Sequence, residues 1–172
     1  MMAGTGVPGD EVLVEQIRLL NSAMGMSGPA LEKILTIQRE STDAVKREKD
    51  NAALEKVLKE KYSLNEAQLK TAETPWFRFF LEHDPATSLR LVKCPVLAIN
   101  GEKDTQVSPK QNLPAIRKAL EAGSNKNIEL VEFPGLNHLF QHAKTGAPSE
   151  YGDIEETMSP VVLEKIASWI LK

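Results

Sequence analysis

The second half of the chain contains two short apolar runs with one helical segment between them, and this pattern constrains the fold more than any other feature. "CPVLAING" ends in Asn-Gly and reads as a strand covered on both faces. "SPKQNLPAIRKALEAG" follows as a helix, with Ser108 as cap, Pro109 at its first position and Gly123 as its stop. "NIELVEF" is a second strand, apolar enough to be covered like the first, and "SPVVLEKIASWILK" closes the chain as a helix again led by Ser-Pro. A strand, helix, strand, helix order implies an α/β fold with a short parallel sheet and a right-handed crossover.

In open parallel sheets, functional groups sit just beyond the carboxyl ends of the strands. The first strand runs into "NGEKDTQVSP", which places Asp104 a few residues past its end, and the second runs into "FPGLNHLFQ", which places His138 likewise. Neighbouring parallel strands bring those exits together, so a carboxylate and an imidazole can hydrogen-bond there. An aspartate held this way fixes the histidine tautomer and stabilises the imidazolium formed when the ring takes a proton.

The first half has a helical texture. "DEVLVEQIRLLNSAMG" starts with an acidic N-cap candidate, Asp10, and closes at Gly25, and a second helix starts near Ser27 with Pro29 in its first turn. "REKDNAALEKVLKEKY" reads as a largely solvated helix whose apolar stripe is Ala53, Leu54, Val57 and Leu58, and "SLNE" reads as a capping box from Ser63 to Glu66. Trp76, Phe77, Phe79 and Phe80 are expected to be core side chains, because such residues bury a large apolar area, with the wall of a pocket as the alternative. Gly4, Gly6 and Gly9 have the G-x-G-x-x-G spacing of a dinucleotide loop, but no strand precedes them and Pro8 removes a backbone donor, so a strand exit is the better reading.

A net charge of -3 with acidic and basic residues interleaved argues against nucleic acid as a partner. No segment has the length and apolarity of a membrane span, and the N-terminus lacks the layout of a signal peptide, so a cytoplasmic location is expected. The single cysteine, Cys94, excludes an internal disulfide and is expected to be a small buried filler. His83 and His142 have no ligand spacing with His138, so neither a metal nor a cofactor is expected.

"CPVLAINGEKDTQVSP", a helix, and then "VEFPGLNHLF" resembles the C-terminal end of the α/β-hydrolase fold, and most closely that of bacterial serine carboxylesterases with a helical insertion before those strands. The resemblance implies a partial α/β-hydrolase fold in three parts. Residues 1–9 would be the remnant of a central strand exit, 10–83 a helical cap, and 84–172 the closing strand, helix, strand, helix segment. It further implies that Asp104 is the acid and His138 the base of a catalytic triad acting on small-molecule carboxylic esters, in the order nucleophile, acid, histidine. No G-x-S-x-G nucleophile elbow occurs; Gly25-Met26-Ser27-Gly28 is followed by Pro29 and lies between helices, where Ser27 is expected to be a cap. The chain alone is therefore expected to be inactive. The alternative is a non-catalytic, self-associating module derived from a hydrolase. In either case a homo-oligomer is expected, because two strands do not make an independently stable sheet.

Overall fold

A computed structural model describes residues 1–172. The chain divides into two compact units, Met1–Val7 with Asp84–Lys172, and Pro8–His83.

In the first unit, β1 (Val96–Gly101) and β2 (Ile128–Phe133) pair in parallel, in a register running from Val96 opposite Ile128 to Gly101 opposite Phe133. Parallel strands need a crossover, supplied here by a helix (Pro109–Ala122). The chain start lies on the other side of β1. Ile99 N donates to Met1 O at 2.9 Å, Ala3 N donates to Ile99 O at 2.9 Å, and the N-terminal ammonium donates to Leu97 O at 2.6 Å. Gly6 then approaches the crossover helix too closely for any side chain. A Cβ there would lie 2.6 Å from Asn112 O, and its N–H donates to Asn112 Oδ1 at 2.8 Å. Gly6 thus serves backbone packing.

Side chains of a strand alternate between faces, and β1 uses both. Val96 and Ala98 pack with Leu89, Leu113, Ile116 and Leu120 on one side. Leu97 and Ile99 pack with Phe133, Leu136, Phe140 and Val162 on the other, where the last helix (Pro160–Ile170) lies. β2 departs from the expected double burial: only Phe133 is fully buried, and Glu129 pairs with Lys165 and, at 3.5 Å, with Lys172. Nothing pairs with its outer side, and charged residues suit such an edge. Cys94 also departs from expectation. It is exposed, because the buried strand starts two residues later, at Val96.

The second unit consists of α1 (Gly9–Ala23), α2 (Gly28–Arg47), α3 (Asn51–Tyr62), α4 (Glu66–Ala72) and α5 (Pro75–Glu82) around Val45, Leu54, Leu58, Leu69, Ala72 and Leu81. Counting on in chain order, Pro85–Leu89 is α6, the crossover helix α7 and the last helix α8. Asp10 does not cap α1, since Pro8 occupies that position; its carboxylate instead accepts from Lys46 Nζ of α2 at 2.5 Å. Ser27 is the N-cap residue of α2 but makes no side-chain cap bond. The stripe of α3 narrows to Leu54 and Leu58, leaving Ala53 and Val57 exposed.

The capping box lies two residues later than expected. Ser63 ends α3 in the left-handed region at φ 56°, so a new helix starts only after that reversal. Asn65 Oδ1 then accepts from Gln68 N at 3.0 Å, and Gln68 Oε1 accepts from Asn65 N at 2.9 Å. The aromatic segment divides as well. Phe77 and Phe80 are half-buried against the core, but Trp76 and Phe79 are 67% and 62% exposed. Phe77 and Leu81, four apart, take the inward face of α5, and Trp76 and Phe79 fall on the other side. No helix of the chain is long and apolar enough to cross a membrane.

Candidate functional site

The two strand exits meet beyond the carboxyl ends of β1 and β2, and backbone contacts join them. Glu102 N donates to Phe133 O at 2.9 Å, Lys103 N donates to Leu136 O at 2.8 Å, and Glu102 Oε2 accepts from Gly135 N at 2.8 Å. Only glycine fits at Gly101: a Cβ there would stand 2.3 Å from Leu136 O and 2.4 Å from Asn137 O, so the loop carrying the histidine lies directly on the end of β1.

Asp104 is buried and fully hydrogen-bonded. Its Oδ1 accepts from Gln106 N at 2.8 Å and Val107 N at 2.7 Å, and its Oδ2 accepts from Asn100 Nδ2 at 3.1 Å. His138 Nδ1 lies 2.9 Å from the same Oδ2. An acceptor at that distance places the ring proton on Nδ1, which leaves a lone pair on Nε2. Asn100 is oriented by its acceptors: Nδ2 also donates to Val107 O at 2.8 Å, so a flipped amide would set oxygen against two oxygens. Its Oδ1 is buried without a partner.

The histidine loop is ordered by its neighbour. Asn137 is fully buried, its Oδ1 accepts from Leu139 N at 2.9 Å and Gln141 N at 3.0 Å, and its Nδ2 donates to Gln141 Oε1 at 3.0 Å. Phe140 takes a left-handed φ of 60° and packs edge-on against Phe133 at 6.3 Å. Glu156 fixes the far end of the loop, accepting from His142 N at 2.7 Å and facing His142 Nδ1 at 3.0 Å. The His142 backbone N–H, followed by its side chain, holds the Glu156 carboxyl below the usual carboxylate range. On the acid side, Gln106 Nε2 donates to Tyr151 Oη at 2.9 Å, and burial pushes the Tyr151 phenol above its ordinary value.

The structure therefore brings Asp104 and His138 into hydrogen-bond contact, with the histidine side chain 27% exposed and the aspartate side chain 0% exposed. His138 lines a cavity of about 600 Å³, together with Met2, Phe140, Gln141, Glu156 and Met158 among others. No group of three or more His, Cys, Asp and Glu side chains has the geometry to hold a metal ion. Sequence reading missed Asn100, Asn137 and Glu156. The two asparagines were visible as polar residues within "VLAING" and immediately before the histidine, but nothing in the sequence pairs Glu156 with a loop fourteen residues earlier.

A short parallel sheet with an acidic and a histidine loop at adjacent exits, and a separate helical unit inserted between the first residues and that sheet, is a C-terminal portion of an α/β-hydrolase. The chain belongs to the prolyl oligopeptidase family, which it matches over residues 33–156. It is also similar to Esterase EstD of Thermotoga maritima, with 27% identity over 176 residues covering 100% of this chain and 36% of that protein. The chain thus spans about a third of the length of that curated relative, and no solved structure matches it.

Proposed function

We propose that this chain carries the acid and the base of a Ser-Asp-His triad for carboxylic ester hydrolysis, with the nucleophilic serine supplied from outside it. The observation that carries this reading is the 2.9 Å approach of Asp104 Oδ2 to His138 Nδ1 at neighbouring strand exits. The name of the similar Thermotoga esterase supports the ester class. In the reaction, Nε2 of His138 accepts the proton of the attacking serine hydroxyl and returns it to the alcohol leaving group; water then repeats the cycle on the acyl-enzyme. Asp104 holds the ring in the required tautomer and stabilises the imidazolium.

Complementation tests the proposal. The chain is mixed with the part of the Thermotoga esterase preceding its matched region, and hydrolysis of p-nitrophenyl acetate and butyrate is followed. The chain alone is expected to be inert and unlabelled by a fluorophosphonate. The mixture is expected to gain activity that His138→Ala abolishes. Labelling of a serine in this chain, or activity indifferent to His138→Ala, would refute the proposal.

A second reading, self-association without catalysis, draws on the Met1–Ala3 segment. Met1 and Ala3 point their backbone groups toward β1, so Met2 points its own away from the sheet, as an edge strand does. Met1 and Met2 are 44% and 45% exposed at that edge.

A further inference from the structure

The unit Pro8–His83 has a packed core of its own: Leu54 and Leu58 are 0% exposed and Leu81 is 1% exposed. Beside that core lies a cavity of about 510 Å³. Protein interiors leave few voids larger than a water molecule, whereas small-molecule sites occupy roughly 300–1,000 Å³. This space is partly open to solvent and has the size of such a site.

The chemistry of the walls restricts what can enter. Leu13 and Ile17 of α1, Ile34 and Val45 of α2, Leu64, and Phe77 of α5 supply the apolar surface. No Asp, Glu, Lys or Arg lines the space, so an ion placed there would lose its hydration without gaining a counter-charge. Four of the five lining hydroxyls are already used, and the fifth belongs to Ser63, an exposed residue. Ser41 and Thr42 donate to Gln38 O, each at 3.0 Å, Thr71 donates to Ala67 O at 3.0 Å, and Tyr62 donates to Glu40 at 3.3 Å. The Gln68 side-chain oxygen is held by the N–H of Asn65. The Gln68 side-chain nitrogen, like the Ser63 hydroxyl, belongs to an exposed residue, so the side-chain amide of Gln38, half-buried on the wall, is the group left to meet a ligand away from solvent.

We propose that this cavity binds an uncharged, single-chain aliphatic compound with one hydrogen-bonding head group, a medium-chain alcohol or ester, with its tail along α1 and α2 and its head at Gln38. The inference is independent of the roles given to Asp104 and His138.

Methyl-resolved NMR of the full chain tests it, with octan-1-ol and octanoate as probes. Octan-1-ol is expected to give saturable shifts at Ile17, Ile34 and Leu64, and none at Leu54. Octanoate should bind about tenfold more weakly or worse, because its charge would be buried unpaired. Gln38→Ala should weaken octan-1-ol about three- to tenfold, the value of one ordinary hydrogen bond. Ser41→Leu projects volume into the space; it should leave the melting temperature unchanged or raised and abolish binding.

Three results would overturn the proposal. The first is absence of saturable shifts, or equal binding of octanoate. The second is a Ser41→Leu variant that melts markedly lower, which would mean the space is already filled. The third is lining shifts that depend on protein concentration without any probe, which would mean that a second copy of the chain occupies the cavity.

Discussion

Replacing Gly101 with alanine is expected to separate the two exit loops. The added Cβ would stand 2.3 Å from Leu136 O, 2.4 Å from Asn137 O and 2.7 Å from Leu136 C, all of them backbone atoms that cannot rotate aside. Ordinary contact requires a retreat of roughly 1 Å by the histidine loop, which would stretch the 2.8 Å bond from Lys103 N to Leu136 O beyond hydrogen-bond range. Overpacking of this kind costs about 1–3 kcal/mol and the lost bond about 1 more. At about 2–4 °C per kcal/mol for a chain of this size, the first unit should melt roughly 5–15 °C lower. Thermal unfolding by circular dichroism measures the loss, and the downfield proton resonance of His138 Nδ1 reports the same displacement at the site. Gly152→Ala is the control, since a Cβ there meets nothing within 4 Å. A Gly101→Ala variant that melts with the parent and keeps the His138 resonance would refute the account of how these loops are held.

Asp104→Ala strips acceptors from Gln106 N, Val107 N and Asn100 Nδ2 at once; it should destabilise the first unit by about 2–4 kcal/mol in urea titrations, because buried donors are left unpaired. Acid should loosen the histidine loop through Glu156. Its carboxyl is depressed in the fold, so its contribution is present above the unfolded carboxylate value and is lost as pH falls through the folded one. Hydrogen exchange at the His142 amide should accelerate over that acidic range in the parent and be flat with pH in Glu156→Gln, after correction for intrinsic exchange. Self-association is expected to be visible by sedimentation at micromolar concentration, given Met1, Met2, Ile170 and Leu171 at 44%, 45%, 67% and 85% exposure; a monomer under those conditions would remove that reading.

The sheet was legible because its signals are local. An apolar run ending in Asn-Gly, a Ser-Pro helix start and a second β-rich run each specify an element within a few residues, and together they place Asp104 and His138 at strand ends. The misreadings arose where a neighbour decides the outcome. β2 carries a strand sequence but lies at an open edge, so its burial could not be inferred from its own residues. Ser63 satisfies the capping-box pattern, yet α3 runs to Tyr62 and uses Ser63 as its terminus, which moves the box to Asn65 and Gln68. In "PWFRFF" the helical period leaves Trp76 and Phe79 outside, although aromatic content alone suggests burial.

The candidate site was legible in its acid and its histidine and silent in their support, for a physical reason. An acid and a histidine at strand exits are recognisable because the chemistry restricts the residue types. Positioning can be done by any donor or acceptor of the right reach, so sequence pattern carries little trace of it. Here the positioning is nevertheless compact. Asp104 is held by Asn100, Gln106 and Val107, and the histidine loop by Asn137, Gln141 and Glu156. Every one of these residues lies between Asn100 and Glu156, within the unit that also contains both strands. The hydrogen bond from His138 to Asp104 therefore depends on that unit alone, so substitutions confined to Pro8–His83 should leave the His138 Nδ1 resonance in place.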